Sequence, residues 1–345
     1  MTGTYRFPAE WEPQSAVLIA WPHDGTDWAK RLVDVEETYI ALVAAITLSQ
    51  TAVICVADDD LQIYVEARLR SARVQMDRVR FVAVEYDDTW LRDSGPVTLR
   101  SSGSPTFSLL DFRFTGWGGK FVASRDDRLI EALTEHGIFA DAQRHEIDFA
   151  LEGGAIETDG AGTLLTTWRC LHERHPEASR ELLTEKLSGW LAQNRVLWLD
   201  HGYLEGDDTD AHIDTLARFA AEDAIVYQAC DDVTDTHYPE LLAMAAELTA
   251  LRTRDGASYR LFALPWPKPV FDDGRRLAAS YANFLVINGA VLIPSYGDVA
   301  DARAQEVMAE AFPGRAIIPV PCRPLIWQNG SLHCLTMQLP EGLIA

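Results

Sequence analysis

Five polar side chains, Asp93, Glu152, His212, Asp214 and Cys334, stand in local sequences that would present them for chemistry. Cys334 lies in NGSLHCLTMQLP, where the Asn-Gly pair forms a turn that feeds a strand-like run. Its neighbour His333 would then point to the opposite face of the strand and serve poorly as its base. A thiol nucleophile here needs an imidazole from elsewhere in the chain; without one, Cys334 is a small buried hydrophobe. His212 and Asp214 are two residues apart in AHIDTLARF. If that piece is extended, both side chains face one pocket, whereas in a helix they diverge by about 200°. Two other readings stand beside this one: Asp214 as a helix N-cap with His212 incidental, and a His-x-Asp metal pair, which lacks a second His ligand.

Asp93 follows Trp90 in DDTWLRDSGPV, where Ser-Gly-Pro ends the preceding structure and leaves Arg92 and Asp93 at a loop; alone, Asp93 reads as a turn former. Glu152 precedes two glycines in FALEGGAIE that let backbone approach closely. Trp117 sits among three glycines in FTGWGGKF, either as a packing anchor or as the aromatic wall of a pocket. The combination says more than its members. Two separated carboxylates, an imidazole with a further acid to orient it, and a thiol match what covalent hydrolysis of a guanidinium demands. A guanidinium is a planar cation rich in donors, best held by carboxylates that accept paired hydrogen bonds. Its carbon is a poor electrophile, which favours a thiolate over water, and the departing ammonia needs a proton, which an imidazole supplies.

Such groups need a rigid frame. Short apolar runs read as strands: AVLIAW, TAVICVA, RVRFVAVEY, TFSLLDFRF, TLLTTW, RVLWL, AIVYQA, RLFAL, NFLVINGAVLIPS, AIIPVP and LHCLTMQL. Amphipathic runs near 30–49, 60–74, 126–137, 177–193, 237–252 and 300–311 read as helices. Asp-Gly at 159–160 and Asn-Gly at 288–289 mark hairpins, each followed by a loop, a helix and another apolar strand. From the second helix onward the helix starts recur every 50 to 70 residues or so, in the range of a repeated supersecondary unit, and a ββαβ unit used about five times is the expected plan. No Pro/Ser linker or low-complexity tract divides residues 1–345, so one domain is expected.

Composition narrows the partners. The 345 residues are 48% hydrophobic and 24% charged, as in a water-soluble globular protein large enough for a sizeable core. A formal charge of −22 repels phosphate backbones and attracts small cations, so nucleic acid is not an expected partner. The start MTGTYRFPAEWEPQ is unlike a signal peptide, and no apolar run approaches the roughly 18 residues of a membrane span. A cytoplasmic location without membrane association is expected. Five Cys without a CxxC pair fit reduced thiols better than a disulfide framework or structural zinc.

The ordered motifs PAEWEPQSAVLIAWP, WLRDSGP, GWGGK, LEGGAIETDGAGTLLTT, DDTDAHIDTLARF, RLAASYANFLVINGAVLIPSYGD and GSLHCLTMQLP resemble, over nearly the whole chain, the agmatine deiminases and bacterial-type peptidylarginine deiminases of the guanidine-modifying superfamily. The resemblance implies an α/β fold, a five-bladed propeller of pseudo-symmetric ββαβ units around a central site. It implies Cys334 as nucleophile, His212 as general acid/base, Glu152 holding His212, and Asp93 and Asp214 gripping the guanidinium, with Trp90 and Trp117 at the substrate entrance. It also implies a small cationic guanidino substrate, no metal or organic cofactor, a homodimer, and hydrolysis of agmatine to N-carbamoylputrescine and ammonia through a thiouronium on Cys334. A deiminase of free arginine, of peptidyl-arginine or of another guanidino compound is the alternative within enzymes; an inactive guanidine-binding protein is the alternative outside them. Two departures from the family pattern flank the site: IWQNGSLHC replaces a run of glycines, and Ala211 replaces a glycine.

Overall fold

A computed structural model describes residues 5–345. In it one order of elements recurs: a hairpin, a helix, and a third strand parallel to the second. β1 (Gln14–Ala20), β2 (Thr51–Val56) and β3 (Val79–Ala83) form parallel ladders across the helices Leu32–Ile46 and Asp59–Ser71. β4 (Val97–Arg100), β5 (Phe107–Arg113) and β6 (Ala142–Ala150) make the next sheet. β7 (Ile156–Thr158), β8 (Thr163–Thr167) and β9 (Arg195–Leu199) follow, then β10 (Ala217–Ala221), β11 (Ala224–Gln228) and β12 (Arg260–Leu264). A two-stranded ribbon of β13 (Val270–Asp272) and β14 (Arg275–Leu277) precedes the sheet of β15 (Leu285–Ile287), β16 (Ala290–Ser295) and β17 (Ala316–Pro321). β18 (Met337–Pro340) then returns antiparallel to β1, so the two ends of the chain share a sheet. The ββαβ order expected from the sequence is thus present in five sheets.

The local reasons are ordinary. β2, TAVICV, is buried on both faces, as a strand between two parallel neighbours must be. The helix Leu32–Ile46 buries Val35, Tyr39, Leu42, Val43 and Ile46, one stripe at helical spacing. Asp58 caps the helix Asp59–Ser71 by accepting from the Leu61 amide at 2.8 Å. All six expected helices are present. The Asn288-Gly289 hairpin has its two-residue loop, whereas the Asp159-Gly160 hairpin uses four residues, Asp159 to Gly162. Missing from the sequence reading are the helix Trp168–Arg174, the four-residue helical turns Leu91–Ser94 and Gly116–Gly119, and the strands β4, β6, β10, β13 and β14, which are short or, like AQRHEIDFA, charged enough to mask their alternation. Among the described residues, no helix is long and apolar enough to cross a membrane.

Candidate active site

Each of the five sheets is entered through a short segment just ahead of its first strand, and these five segments carry the site. The helical turn Leu91–Ser94 holds Asp93 ahead of β4. Glu152 caps the 3-10 turn Gly153–Ala155 ahead of β7, and His212 caps the 3-10 turn Ile213–Thr215, with Asp214, ahead of β10. Asn283 lies just before β15, and Cys334 sits on the 3-10 turn His333–Leu335 ahead of β18. All are buried.

Two expectations about local geometry are corrected. His212 and Asp214 do not lie on one extended strand. The His212 carbonyl accepts from the Thr215 amide at 3.3 Å and hydroxyl at 2.9 Å, which closes a turn where a ladder would leave these groups for a neighbouring strand. Cys334 is not on a strand either, because Asn283 Oδ1 takes the His333 amide at 2.8 Å and the Cys334 amide at 3.3 Å; the strand begins only at Met337. His333 is still no base for Cys334, for a different reason: its Nδ1 lies 2.8 Å from Asp214 Oδ2 and its Nε2 2.7 Å from Glu10 Oε2.

The turns nevertheless bring the expected groups together. A Cβ placed on Gly154 would lie 2.6 Å from His212 Nδ1, 2.8 Å from Asp93 Oδ1 and 3.2 Å from Asp214 Oδ2, so no side chain fits where these three converge. His212 Nδ1 is 3.6 Å from Asp93 Oδ1, and its Nε2 is 3.8 Å from Glu152 Oε2. Cys334 Sγ is 3.7 Å from Asp214 Oδ2 and 3.4 Å from Asn283 Oδ1. Asp93 accepts from the Gly154 amide at 2.8 Å and from Trp117 Nε1 at 2.9 Å, so Trp117 aims the carboxylate as well as walling the pocket.

Charge is set by burial and by these neighbours. Burial, with Asp214 and Asp93 beside it, holds the Cys334 thiol well above the ordinary thiol range. Burial likewise pushes Asp93 up to about 6, with His212 partly offsetting it. For His212, burial works against the charged ring, but Asp93, Cys170 and Glu152 outweigh it and raise the imidazole well above its usual value. Burial also opposes the charged forms of Glu152 and Asp214, yet His212 and Arg174 hold the first below the usual range, and His333 and His212 hold the second there.

Several supporting residues escaped sequence reasoning. Arg174, on the missed helix, donates through Nε to Glu152 Oε1 at 2.6 Å and through a terminal nitrogen to Asp210 Oδ2 at 2.6 Å. Glu10 accepts from Arg218 at 2.8 Å and contacts His333, which ties the amino-terminal PAEWEP segment to Asp214. Asn283 links the Cys334 turn to the Asp214 carbonyl, at 3.3 Å. One signal could have found Asn283: like Asp93 and Glu152, it is the polar residue that precedes the first strand of a repeat.

A cavity of about 710 Å³ opens from Cys334 and Asp93 to the surface, with Trp90 and Trp117 in its wall. Trp90 packs so closely on Gly330 that a Cβ there would meet the indole at 2.3 Å. Asp27, Asp87, Asp88, Asp126 and Asp208 also line it, with Lys120 and Arg275 as its cations. Both cations are engaged: Lys120 Nζ with Asp210 Oδ2 and the Asp208 carbonyl, each at 2.6 Å, and Arg275 with Asn329 Oδ1 and the Trp327 carbonyl. Arg92 is turned away, bonded to Gln338 at 2.7 Å and lying 3.5 Å from Glu10. The two departures acquire structural meaning. Asn329 takes φ 72°, a left-handed conformation that Asn tolerates, and its Nδ2 donates to Asp208 Oδ2 at 2.7 Å. Ala211 also sits at φ 72°, in a loop tied by Asp207, which accepts from the Thr209 and Ala211 amides at 2.9 Å each.

Among the described residues, Asp214 is not part of a metal-like cluster, whereas Glu152, Cys170 and His212 offer ligand atoms within 4.8 Å of one another.

Comparison with known proteins adds lineage to this geometry. The family model of the Porphyromonas-type peptidyl-arginine deiminases matches residues 6–340. A curated agmatine deiminase of Stutzerimonas stutzeri (strain A1501) is 32% identical, over 99% of this chain and 96% of its own. A Porphyromonas gingivalis structure solved as a candidate arginine deiminase is 43% identical, with TM-score 0.90 over 99% of this chain and 100% of its own. A Cys-to-Ser variant of C. jejuni agmatine deiminase with substrate bound is 31% identical, with TM-score 0.91 over 99% and 98%.

Proposed function

The chain belongs to the Porphyromonas-type peptidyl-arginine deiminase family, and from that premise we propose that it hydrolyses agmatine to N-carbamoylputrescine and ammonia. One observation carries the reading: Asp93, Asp214 and His212 converge at Gly154, with Cys334 against Asp214 at the end of a carboxylate-faced cavity. We propose Cys334 as nucleophile, His212 as acid/base, Asp93 and Asp214 as the guanidinium clamp, Glu152 as the residue that holds His212, and Trp90 and Trp117 as cavity walls.

The electrostatics suit a cation. Burial and the two carboxylates beside Cys334 disfavour its thiolate in the free protein. A guanidinium entering between the carboxylates offsets their field, so the thiol gives up its proton to solvent as the electrophile arrives. The sulfur attacks the guanidinium carbon, and His212, carrying its proton, delivers it to the departing ammonia. A thiouronium remains on Cys334, and the now neutral His212 activates water to release the ureido product. In support of the fold the resemblance implies, five sheets each give one segment to one site, which suits a single catalytic domain of five blades.

Free arginine is the second reading, favoured by the Porphyromonas gingivalis relative. An arginine carboxylate needs a cation, and the two that line the cavity, Lys120 and Arg275, are already bonded to the protein, whereas acids predominate where an agmatine ammonium would lie. Steady-state release of ureido product from agmatine, arginine and a peptidyl-arginine decides between them. The highest kcat/KM is expected for agmatine; a preference for arginine would overturn the assignment.

A further inference from the structure

We propose that Glu152, Cys170 and His212 form a binding site for a thiophilic divalent cation of the zinc class, and that its occupation stops turnover. A thiolate, an imidazole nitrogen and a carboxylate oxygen are the ligand types zinc prefers, and here they lie within 4.8 Å of one another, all buried. Two independent features point the atoms at a ligand. Both ring nitrogens of His212 and Oε2 of Glu152 are buried without a hydrogen-bond partner, a condition that buried polar groups rarely keep without a purpose. Arg174 meanwhile holds the other Glu152 oxygen at 2.6 Å, which fixes the aim of Oε2 toward His212 Nε2, 3.8 Å away.

The surroundings accept added positive charge. Asp93 lies 3.6 Å from His212 Nδ1, and the Arg174 cation is shared between Glu152 and Asp210. Entry follows the cavity, which reaches Asp93. On binding, the Cys170 thiol and the charged His212 imidazole each release a proton to solvent, and the freed lone pairs of Sγ and the ring nitrogen, with one of Oε2, form the bonds to the ion, with no change of oxidation state. Three protein ligands leave a fourth place for water. Hard cations such as magnesium take oxygen ligands and reject a thiolate, so the site discriminates. Binding stands on these atoms alone; inhibition rests on the acid/base role proposed above for His212, which a bound ion would remove.

The test uses the full chain. Cobalt titrated into the Cys334→Ser protein should produce the near-ultraviolet thiolate-to-cobalt absorption with one cobalt per chain, and the band should vanish in Cys334→Ser/Cys170→Ala. Zinc should inhibit the protein of native sequence while magnesium does not. Zinc sensitivity, read as the ratio of inhibited to uninhibited rate of each protein, should fall by about 10- to 100-fold or more in Cys170→Ala, since losing a ligand costs at least as much as losing an outer-shell partner. Cys170→Ser, nearly isosteric, repeats the measurement should the alanine variant misfold. A band that disappears with Cys334 alone, or zinc inhibition unchanged in both Cys170 variants, overturns the proposal. The cobalt band needs no turnover, so it reads the site even if the chain fails as a deiminase, and inhibition without the Cys170-dependent band would assign the ion elsewhere.

Discussion

At the inner end, behind the Asp93 and Cys334 that line the cavity, both nitrogens of His212, Oε2 of Glu152 and Oδ1 of Asp214 are buried without hydrogen-bond partners, whereas at the mouth Lys120, Asp208, Asn329 and Arg275 are bonded to one another or to Asp210. An unpaired buried polar group costs about 1–3 kcal/mol, so the inner end is costly to fold empty, and its carboxylate oxygens gain from a ligand rich in N–H donors. The mouth gains little in that way. Its satisfied network sets shape and field, while the inner end holds and transforms. The same contrast explains why the inner end is braced from behind: Arg218 pairs with Glu10 at 2.8 Å and Glu157 at 2.9 Å, and breaking one member of such a buried set costs about 3–5 kcal/mol.

The largest effect should come from the inner end. Cys334→Ser is expected to lower kcat by about 10⁴-fold or more while agmatine still binds, as read by calorimetry and product assay. Mass spectrometry of acid-quenched native protein with agmatine should show an adduct on the Cys334 peptide, and full activity in Cys334→Ser would end the covalent mechanism.

The next effect separates the two regions by pH. A carboxyl with a raised pKa is charged above that value and neutral below it. Burial pushes Asp88 and Asp126 at the mouth each up to about 7, and Asp93 at the inner end up to about 6. On acidification, KM for agmatine should therefore rise first, near pH 7, and kcat/KM should fall further near pH 6 as Asp93 loses its charge. Asp88→Asn should remove part of the first phase and leave the second. A single phase unaffected by Asp88→Asn would show that the mouth contributes no field.

The smallest effect concerns the loop between the regions. Ala211 at φ 72° bears a left-handed strain of about 1–2 kcal/mol, of which glycine's extra unfolded-state freedom returns about 0.5–1. Ala211→Gly should stabilise the protein by about 0.5–1 kcal/mol in denaturant melts, with kcat nearly unchanged; destabilisation would show that the methyl group packs usefully.

Much of the frame was legible because burial writes itself into periodicity: the six expected helices and most of the apolar strands follow from it, and the repeat from their order. Strands such as β13 and β14, three residues long each, carry too few positions for a pattern. The helix Trp168–Arg174 buries only the adjacent Cys170 and Leu171, so it shows no stripe at helical spacing, and it carries Arg174, so Glu152 appeared in the sequence without the cation that pairs with it.

By itself the sequence determined which residue types were available: one thiol, one imidazole and three acids in motifs spread from 93 to 334, on a chain negative enough to favour a cation. Tertiary structure decided how they meet. Asp214 reaches its partner His333 across 119 residues and Cys334 across 120, and His333 reaches Glu10 across 323. No local pattern encodes such pairings, because hydrophobic periodicity records only which face of an element is buried. Which turns then stand opposite one another depends on how the sheets pack. That is why His212 and Asp214 converge on Gly154 from a 3-10 turn, and not from the strand their spacing first implied.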